Sequence, residues 1–317
     1  MARNDPLYGK LVTLIGGNGF VGRHVAEKLL TRGARLRVAA RHPEKALRLK
    51  PLANLGQLQF ARCNVASKDS IEACVAGSDA VVYLVGAFDG DLDTLQAKAA
   101  GHAAQAAKAT GATSFVYVSA IGANADDEES TYARTKGEGE QLVLGAFPKA
   151  TILRPSVIFG EDDDFINMFA GLISSLPVIP IFAPQAKFQP LWVDDVAEAL
   201  ALTLADPGKH GSKTYELAGP DVVTVEQLHE QIAAAQQRKR TFVPMPDVAG
   251  AVFAALPLTP MNGDQWVILQ RGNVANGEQP GFDKLGIAPK PLSLFLEEWM
   301  VRYRTHGRFT QTKAPAA

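Results

Sequence analysis

Cysteine is scarce: Cys63 and Cys74 are the only two in 317 residues. They lack metal-ligand spacing, so reduced thiols of a cytoplasmic protein, structural rather than reactive, are expected. Net charge is missing too. The 32 lysines and arginines are balanced by 33 aspartates and glutamates, which leaves no electrostatic footprint for a nucleic-acid partner. The six histidines are not paired at metal spacing. No apolar run is long enough to span a bilayer, and the Val248–Leu256 stretch is short and flanked by prolines. With only Met1–Lys10 ahead of the first apolar run, no signal or transit peptide is expected. A cytoplasmic chain is expected, attached at most peripherally to the inner membrane.

What is present is an alternation. Strand-like apolar runs occur at 11–15, 36–40, 58–61, 80–85, 115–119 and 151–153, with helical patterns at 21–30, 70–75, 92–109 and 132–144 between them. This rhythm predicts an α/β fold, a Rossmann-type doubly wound parallel sheet with helices on both faces. After Pro155 prolines crowd in and the rhythm breaks. The expected organisation is a nucleotide-binding core over 1–155, a small C-terminal α/β lobe over 156–309 from which 188–205 returns to the core, and a tail over 310–317. The strand-like Thr214–Leu217 is placed in the lobe, with a helix after Thr224 opened by a Thr224/Gln227 capping box.

The most informative segment is Ile15-Gly16-Gly17-Asn18-Gly19-Phe20-Val21-Gly22. Three spaced glycines stand where a buried strand turns into an amphipathic helix carrying Phe20, Val21, Val25 and Leu29 on one side. A glycine at the turn permits unusual dihedrals, a second gives phosphates close access to the backbone, and the third lets the helix pack close to the strand. Free N–H groups and the helix dipole then face an anion. A strand before and a helix after favour a dinucleotide site over a plain tight turn.

In an NAD site an acid ends the second strand and accepts hydrogen bonds from the adenine ribose. Here the run is Val38-Ala39-Ala40-Arg41-His42, with no acid. Arg41 suits a 2′-phosphate, with Arg23 and Lys45 adding charge, so NADP(H) is favoured over NAD(H). The alternative is that Arg41 only begins a solvated loop. Asn64 and Val65, after the third strand, are placed to meet adenine.

Tyr132-Ala133-Arg134-Thr135-Lys136 sets a phenol and an ammonium one helical turn apart. A lysine held close would lower the phenol's pKa so that it exchanges a proton with a substrate oxygen during hydride transfer, and would also bond the nicotinamide ribose.

With the glycine turn, Tyr132/Lys136, Leu153-Arg154-Pro155-Ser156-Val157-Ile158-Phe159-Gly160 and Gln189-Pro190-Leu191-Trp192-Val193-Asp194-Asp195-Val196, the chain resembles the extended and atypical short-chain dehydrogenases/reductases, the NAD-dependent epimerase/dehydratase group. The resemblance implies that Pro155 and its neighbours pass beside the nicotinamide, with Val85 and Ile158 among the cofactor contacts, and that Asp194-Asp195-Val196 braces the lobe. Active extended members carry a Ser or Thr shortly after the fifth strand. Here Val118-Ser119-Ala120-Ile121-Gly122 offers only Ser119, so the proton-transfer set is incomplete or rearranged.

A narrower resemblance runs through 147–160, Asp164–Ala170 and Pro280–Ile287, which look like the nucleotide-binding accessory subunit of respiratory complex I. That family implies a tightly held NADP(H) in a structural, assembly or quinone-related role, with complex I or quinone-pathway proteins as partners. The alternative is an NADPH-dependent reductase, epimerase or dehydratase acting on a small carbonyl or quinone, with Tyr132 as acid/base, Lys136 as its electrostatic partner and Ser119 orienting substrate. The acid run Glu161–Asp164 is expected to charge the next helix start rather than bind metal. His24 is expected to pack or face solvent. Phe242–Leu258 is expected to be a packed helix, or else to cover the pocket or lie on a membrane surface beside Arg302, Arg304, His306 and Arg308.

Overall fold

A computed structural model describes residues 4–257 and 259–305. The expected tail at 310–317, and His306 and Arg308 of the basic run, lie outside the described residues.

Apolar runs at the expected places form the first six strands: β1 (Leu11–Ile15), β2 (Arg35–Ala40), β3 (Leu58–Arg62), β4 (Ala80–Tyr83), β5 (Ser114–Val118) and β6 (Thr151–Pro155). The helices between them are α1 (Phe20–Thr31), α2 (Lys68–Val75), α3 (Ala99–Ala109) and α4 (Thr131–Ala146). Among the described residues the sheet has seven parallel strands in the order β11-β6-β5-β4-β1-β2-β3. The seventh, β11 (Thr214–Leu217), pairs with β6 in the register Thr214↔Ile152 to Leu217↔Pro155. This corrects its placement in the lobe. Its buried Tyr215 and Leu217 belong to the main core cluster, so the sheet edge is completed from beyond the proline-rich break.

Both faces of the sheet are covered, as parallel sheets require. On one face Val25 and Leu29 of α1 and Val196 and Leu200 of α6 (Val193–Ala205) pack against Val12, Leu14, Leu36 and Val38. On the other, the alanines of α3 and Ile71 of α2 cover Ile15, Val81, Tyr83, Phe115 and Tyr117. The expected helix 92–109 opens as a π-helical stretch, Asp93–Lys98. Two of its carbonyls accept buried phenols: Tyr83 Oη donates to Leu95 O (2.5 Å) and Tyr117 Oη to Gln96 O (2.9 Å). The wider turn satisfies groups whose burial without partners would be costly.

The smaller part holds β7 (Ile158–Phe159), α5 (Phe165–Ser175), β8 (Val178–Ile181), β9 (Lys187–Phe188), β10 (Leu191–Trp192), β12 (Val223–Thr224), α8 (Val225–Ala235) and β13 (Thr241–Pro244), whereas α7 (Pro207–His210) lies by the main sheet, where Thr151 Oγ1 donates to His210 O (3.0 Å). Helices α9 (Asp247–Ala255), α10 (Gly263–Arg271), α11 (Phe282–Leu285) and α12 (Ser293–Trp299) follow. The Thr224/Gln227 capping box opens α8. Its core stacks Trp192 on Phe295 (4.1 Å) and Phe295 on Trp299 (5.3 Å). No described helix is long and apolar enough to cross a membrane, and the described residues contain no metal-ligand cluster. Within the acid run, the Asp163 carboxylate accepts from Ile166 N (2.6 Å) and Gly160 N (3.1 Å) ahead of α5.

Candidate functional site

The site begins where β1 ends. Gly16 adopts φ +84°, a left-handed conformation that favours glycine. Gly17 cannot carry a side chain, because a Cβ there would stand 2.7 Å from Leu14 Cβ. Gly22 is as constrained, but by the loop rather than the strand: its Cβ would meet Gly17 Cα at 2.6 Å. Gly19 differs. It precedes α1 with no side-chain cap, and a Cβ would approach only Gly16 O, at 3.4 Å. The N–H groups of Phe20, Val21 and Gly22 thus lack intrahelical partners behind a turn that has no side chain at 16, 17 or 19, which fits a pyrophosphate. The Phe20 ring turns away, edge-on to His24 at 5.5 Å.

Asn18 Nδ2 donates to His42 O (3.1 Å) and ties this loop to the end of β2. Arg41 is exposed there, as are Lys45 and Arg62. Arg62 pairs in register with Ala40 and was not picked out from sequence, since it lies 21 positions from Arg41. Arg23, expected to add positive charge, is instead bound to Asp162, and Arg48 lies 3.6 Å from the same carboxylate. One acid shares the turn: Glu44, 3.1 Å from His42. Asn64 is exposed and Val65 buried just beyond β3.

Past β4, Val85 lies against the glycine turn, its Cγ2 3.2 Å from where a Gly16 Cβ would be. Its carbonyl accepts from Lys136 Nζ (3.3 Å), and Val118 O accepts from the same ammonium at 2.9 Å. Pro155 is buried at the end of β6 and Ile158 half-buried. Val85, Lys136, Val118 and Pro155 thus line the ends of three adjacent strands, where an open parallel sheet binds its ligand.

Tyr132 and Lys136 come together, Nζ lying 5.9 Å from the phenol ring centre, but not as expected. Burial pulls the Lys136 ammonium down to about 7. The Tyr132 phenol is pushed up to about 12, first by burial and then by the Asp264 carboxylate. The expected lowering of the phenol therefore does not occur. Tyr132 stacks on Phe88 (4.6 Å, 19°), and its backbone N–H donates to Asp264 Oδ2 (2.9 Å). Asn262 Nδ2 donates to Phe88 O (3.0 Å), and Arg271 binds Asp127 and Glu129. Helix α10 is thereby tied to the start of α4 beside Tyr132, a contact between segments 132 residues apart that no local pattern signals.

Ser119 is 3% exposed and turned into the protein, its hydroxyl donating to Glu140 Oε1 at 2.5 Å. Glu140 also receives a fork from Arg154, Nε to Oε1 (2.8 Å) and Nη2 to Oε2 (2.7 Å). Glu216 of β11 lies 3.7 Å from Arg154. The hydroxyl expected to hold a substrate oxygen instead completes a buried charge network. Asp194 pairs with His24 (2.7 Å), and Asp195 accepts from Lys290 N (2.7 Å), so both aspartates tie α6 to neighbouring segments. Arg302 is bound to Glu161 O and Asn167, and Arg304 to Ala235 O (2.9 Å), so these two arginines are engaged within the fold.

Fold and glycine cradle define an NAD(P)-binding protein built on a Rossmann-type sheet. A family model described as NAD(P)H-binding matches residues 16–167. The NADPH complex of the quinone oxidoreductase QOR2 from Escherichia coli superposes with a TM-score of 0.73 at 20% identity, covering 90% of this chain and 99% of that one, a likeness of fold. The mitochondrial NADH dehydrogenase [ubiquinone] 1 alpha subcomplex subunit 9 of Arabidopsis thaliana is 30% identical over 94% of this chain and 79% of its own length. That of Mus musculus is 30% identical over 94% and 81%. The chain belongs to this subunit 9 family.

Proposed function

We propose that the chain holds NADP(H) as a resident cofactor, in a structural or assembly role toward respiratory complex I or quinone-pathway proteins, rather than turning it over. One observation carries the reading: the proton-transfer set is disarmed. Ser119 donates its hydrogen bond to Glu140, Lys136 donates to two main-chain carbonyls, and burial pushes the Tyr132 phenol up to about 12. A catalytic phenol needs a pKa closer to the working pH.

The bound dinucleotide would supply hydride chemistry, but the residues named here bind and orient it. The N–H groups at the start of α1 would hold the pyrophosphate, Val85 and Pro155 would line the nicotinamide end, and Lys136 would reach the ribose there. The choice of NADP(H) over NAD(H) is supported by the absence of an acid at the end of β2 and by exposed Arg41, Lys45 and Arg62 beside it. The relatives' assignment by name to a mitochondrial NADH dehydrogenase [ubiquinone] supports a peripheral place of this chain at a membrane.

The test is to purify the protein and identify what comes with it. NADP(H) that co-purifies and exchanges slowly, with Tyr132→Phe neutral, is the expected result. Oxidation of the bound NADPH by a carbonyl or quinone panel, lost in Tyr132→Phe, would establish the alternative reductase, epimerase or dehydratase. That reading draws on one contact, the approach of Lys136 to the Tyr132 ring.

A further inference from the structure

Cys63 follows β3 and Cys74 lies in the last turn of α2, their residues 1% and 4% exposed. Each thiol points at backbone beside the other. Cys74 Sγ donates to Arg62 O (3.5 Å), the carbonyl bonded to the Cys63 nitrogen. Cys63 Sγ donates to Ser70 O (4.0 Å), one helical repeat before Cys74. Both thiols therefore occupy the same buried space between the end of β3 and the last turn of α2. Arg37 Nη1 donates to Cys74 O (2.7 Å) and Ala76 O (2.8 Å), which sets a fixed positive charge at that end of α2.

We propose that Cys63 and Cys74 form a redox-active dithiol, an oxidation site for small peroxides in which Cys74 attacks and Cys63 resolves. The pair is asymmetric in the direction this needs. The neighbouring Cys63 thiol, opposed by burial and aided by Arg37, holds Cys74 below its ordinary value, while the Cys74 thiol and burial raise Cys63. The Cys74 thiolate attacks one peroxide oxygen. The O–O bond breaks, Cys74 becomes a sulfenic acid, and the departing hydroxide takes up the proton Cys74 had released, leaving as water. Cys63 sulfur then attacks Cys74 sulfur and loses its proton. The S–O bond breaks, and hydroxide leaves with that proton as a second water. Two thiols are oxidised by two electrons and one peroxide is reduced.

Asn64 and Val65 continue directly from Cys63, and Asn64 N donates to Ser70 Oγ (2.9 Å). Contracting the sulfur contact to a covalent bond draws the end of β3 and α2 together and moves both residues. Given the reading that Asn64 and Val65 wall the adenine, oxidation weakens nucleotide binding.

The test treats the full chain, stripped of nucleotide, with hydrogen peroxide, followed by alkylation in denaturant and intact mass measurement. The expected result is loss of both alkylatable thiols with a mass lower by two hydrogens. Cys63→Ser should stop at a Cys74 sulfenic acid captured by dimedone, and Cys74→Ser should give no adduct. Two thiols still alkylatable after peroxide, or a dimedone adduct on Cys63, would overturn the proposal. NADPH titrated into the disulfide form should bind more weakly by about three-fold or more. Unchanged affinity in fully oxidised protein overturns the link to the adenine wall. Failure of the reduced protein to bind NADPH would sink the NADP(H) reading and leave the thiol result standing by itself.

Discussion

Consider Glu140, which receives three hydrogen bonds from two neighbours. Truncation in Glu140→Ala strands the Ser119 hydroxyl and leaves Arg154 with Glu216 alone, at 3.7 Å. Breaking one partner out of a buried pair costs about 3–5 kcal/mol, because the surviving charge stays desolvated. The Arg154 side chain is 23% exposed, so water relieves part of that and places the loss at about 3 kcal/mol. In a chain of this length that lowers Tm by about 6 °C, at about 2 °C per kcal/mol. Ser119→Ala removes one hydrogen bond to a charge and leaves the Arg154 fork intact, so about 1.5–3 kcal/mol is expected. Urea denaturation of the nucleotide-free protein measures both, with NADPH affinity in parallel. A structural Ser119 destabilises the fold in the alanine variant and leaves the affinity alone. If Ser119→Ala is as stable as the parent, and instead abolishes an NADPH-dependent reduction, the reading of a disarmed site is refuted.

Gly22→Ala would force a Cβ to 2.6 Å from Gly17 Cα, which must displace the phosphate loop, so nucleotide binding falls at least about ten-fold. Isothermal titration checks this, and an unchanged Kd would contradict the packing described. Arg41→Ala should weaken NADPH by about 1.5–3 kcal/mol, the worth of a hydrogen bond to a charge, and spare NADH. Equal loss for both would remove Arg41 from 2′-phosphate recognition. Lys136 binds fewer protons folded than unfolded between about pH 7 and its ordinary value, so stability rises with pH across that window. Lys136→Met should flatten this slope in denaturation of the nucleotide-free protein, and a parent profile already flat there would show the ammonium to be well solvated. Asp264→Ala should leave the Tyr132 N–H unpaired and loosen α10, seen as faster amide exchange over 263–271; unchanged protection would mean that α10 is held elsewhere.

Much of the fold was legible because buried parallel strands leave continuous apolar runs. Leu11–Ile15 is buried at all five positions, and the glycines after it announce the turn by their spacing. β11 was misassigned because its partner is Thr151–Pro155, across the prolines, and pairing leaves no local trace. At the site, Tyr132 and Lys136 were visible as a pair, yet their pKa values depend on burial and on Asp264, which sequence separation hides. Ser119 was misread for a related reason. Its partner Glu140 sits on a helix in the run Gly137-Glu138-Gly139-Glu140, where acids between glycines read as a solvated face. A Cβ at Gly137 would lie 2.2 Å from Ala125 N and one at Gly139 2.5 Å from Tyr117 Oη, so these glycines draw α4 onto the core and bury Glu140 with it.

The π-helical stretch 93–98 is in effect a one-residue insertion in an otherwise α-helical segment. Deleting a single residue there would restore ordinary helical geometry and improve local propensity. It would also swing the preceding segment, with the Gly86–Phe88 loop that Gln96 holds through Ala87 O (2.8 Å), by roughly a quarter turn about the helix axis. Tyr83 and Tyr117 would lose their acceptors in the same step. A locally better helix would make a worse protein, and the irregularity fixes the angle at which that loop approaches Tyr132.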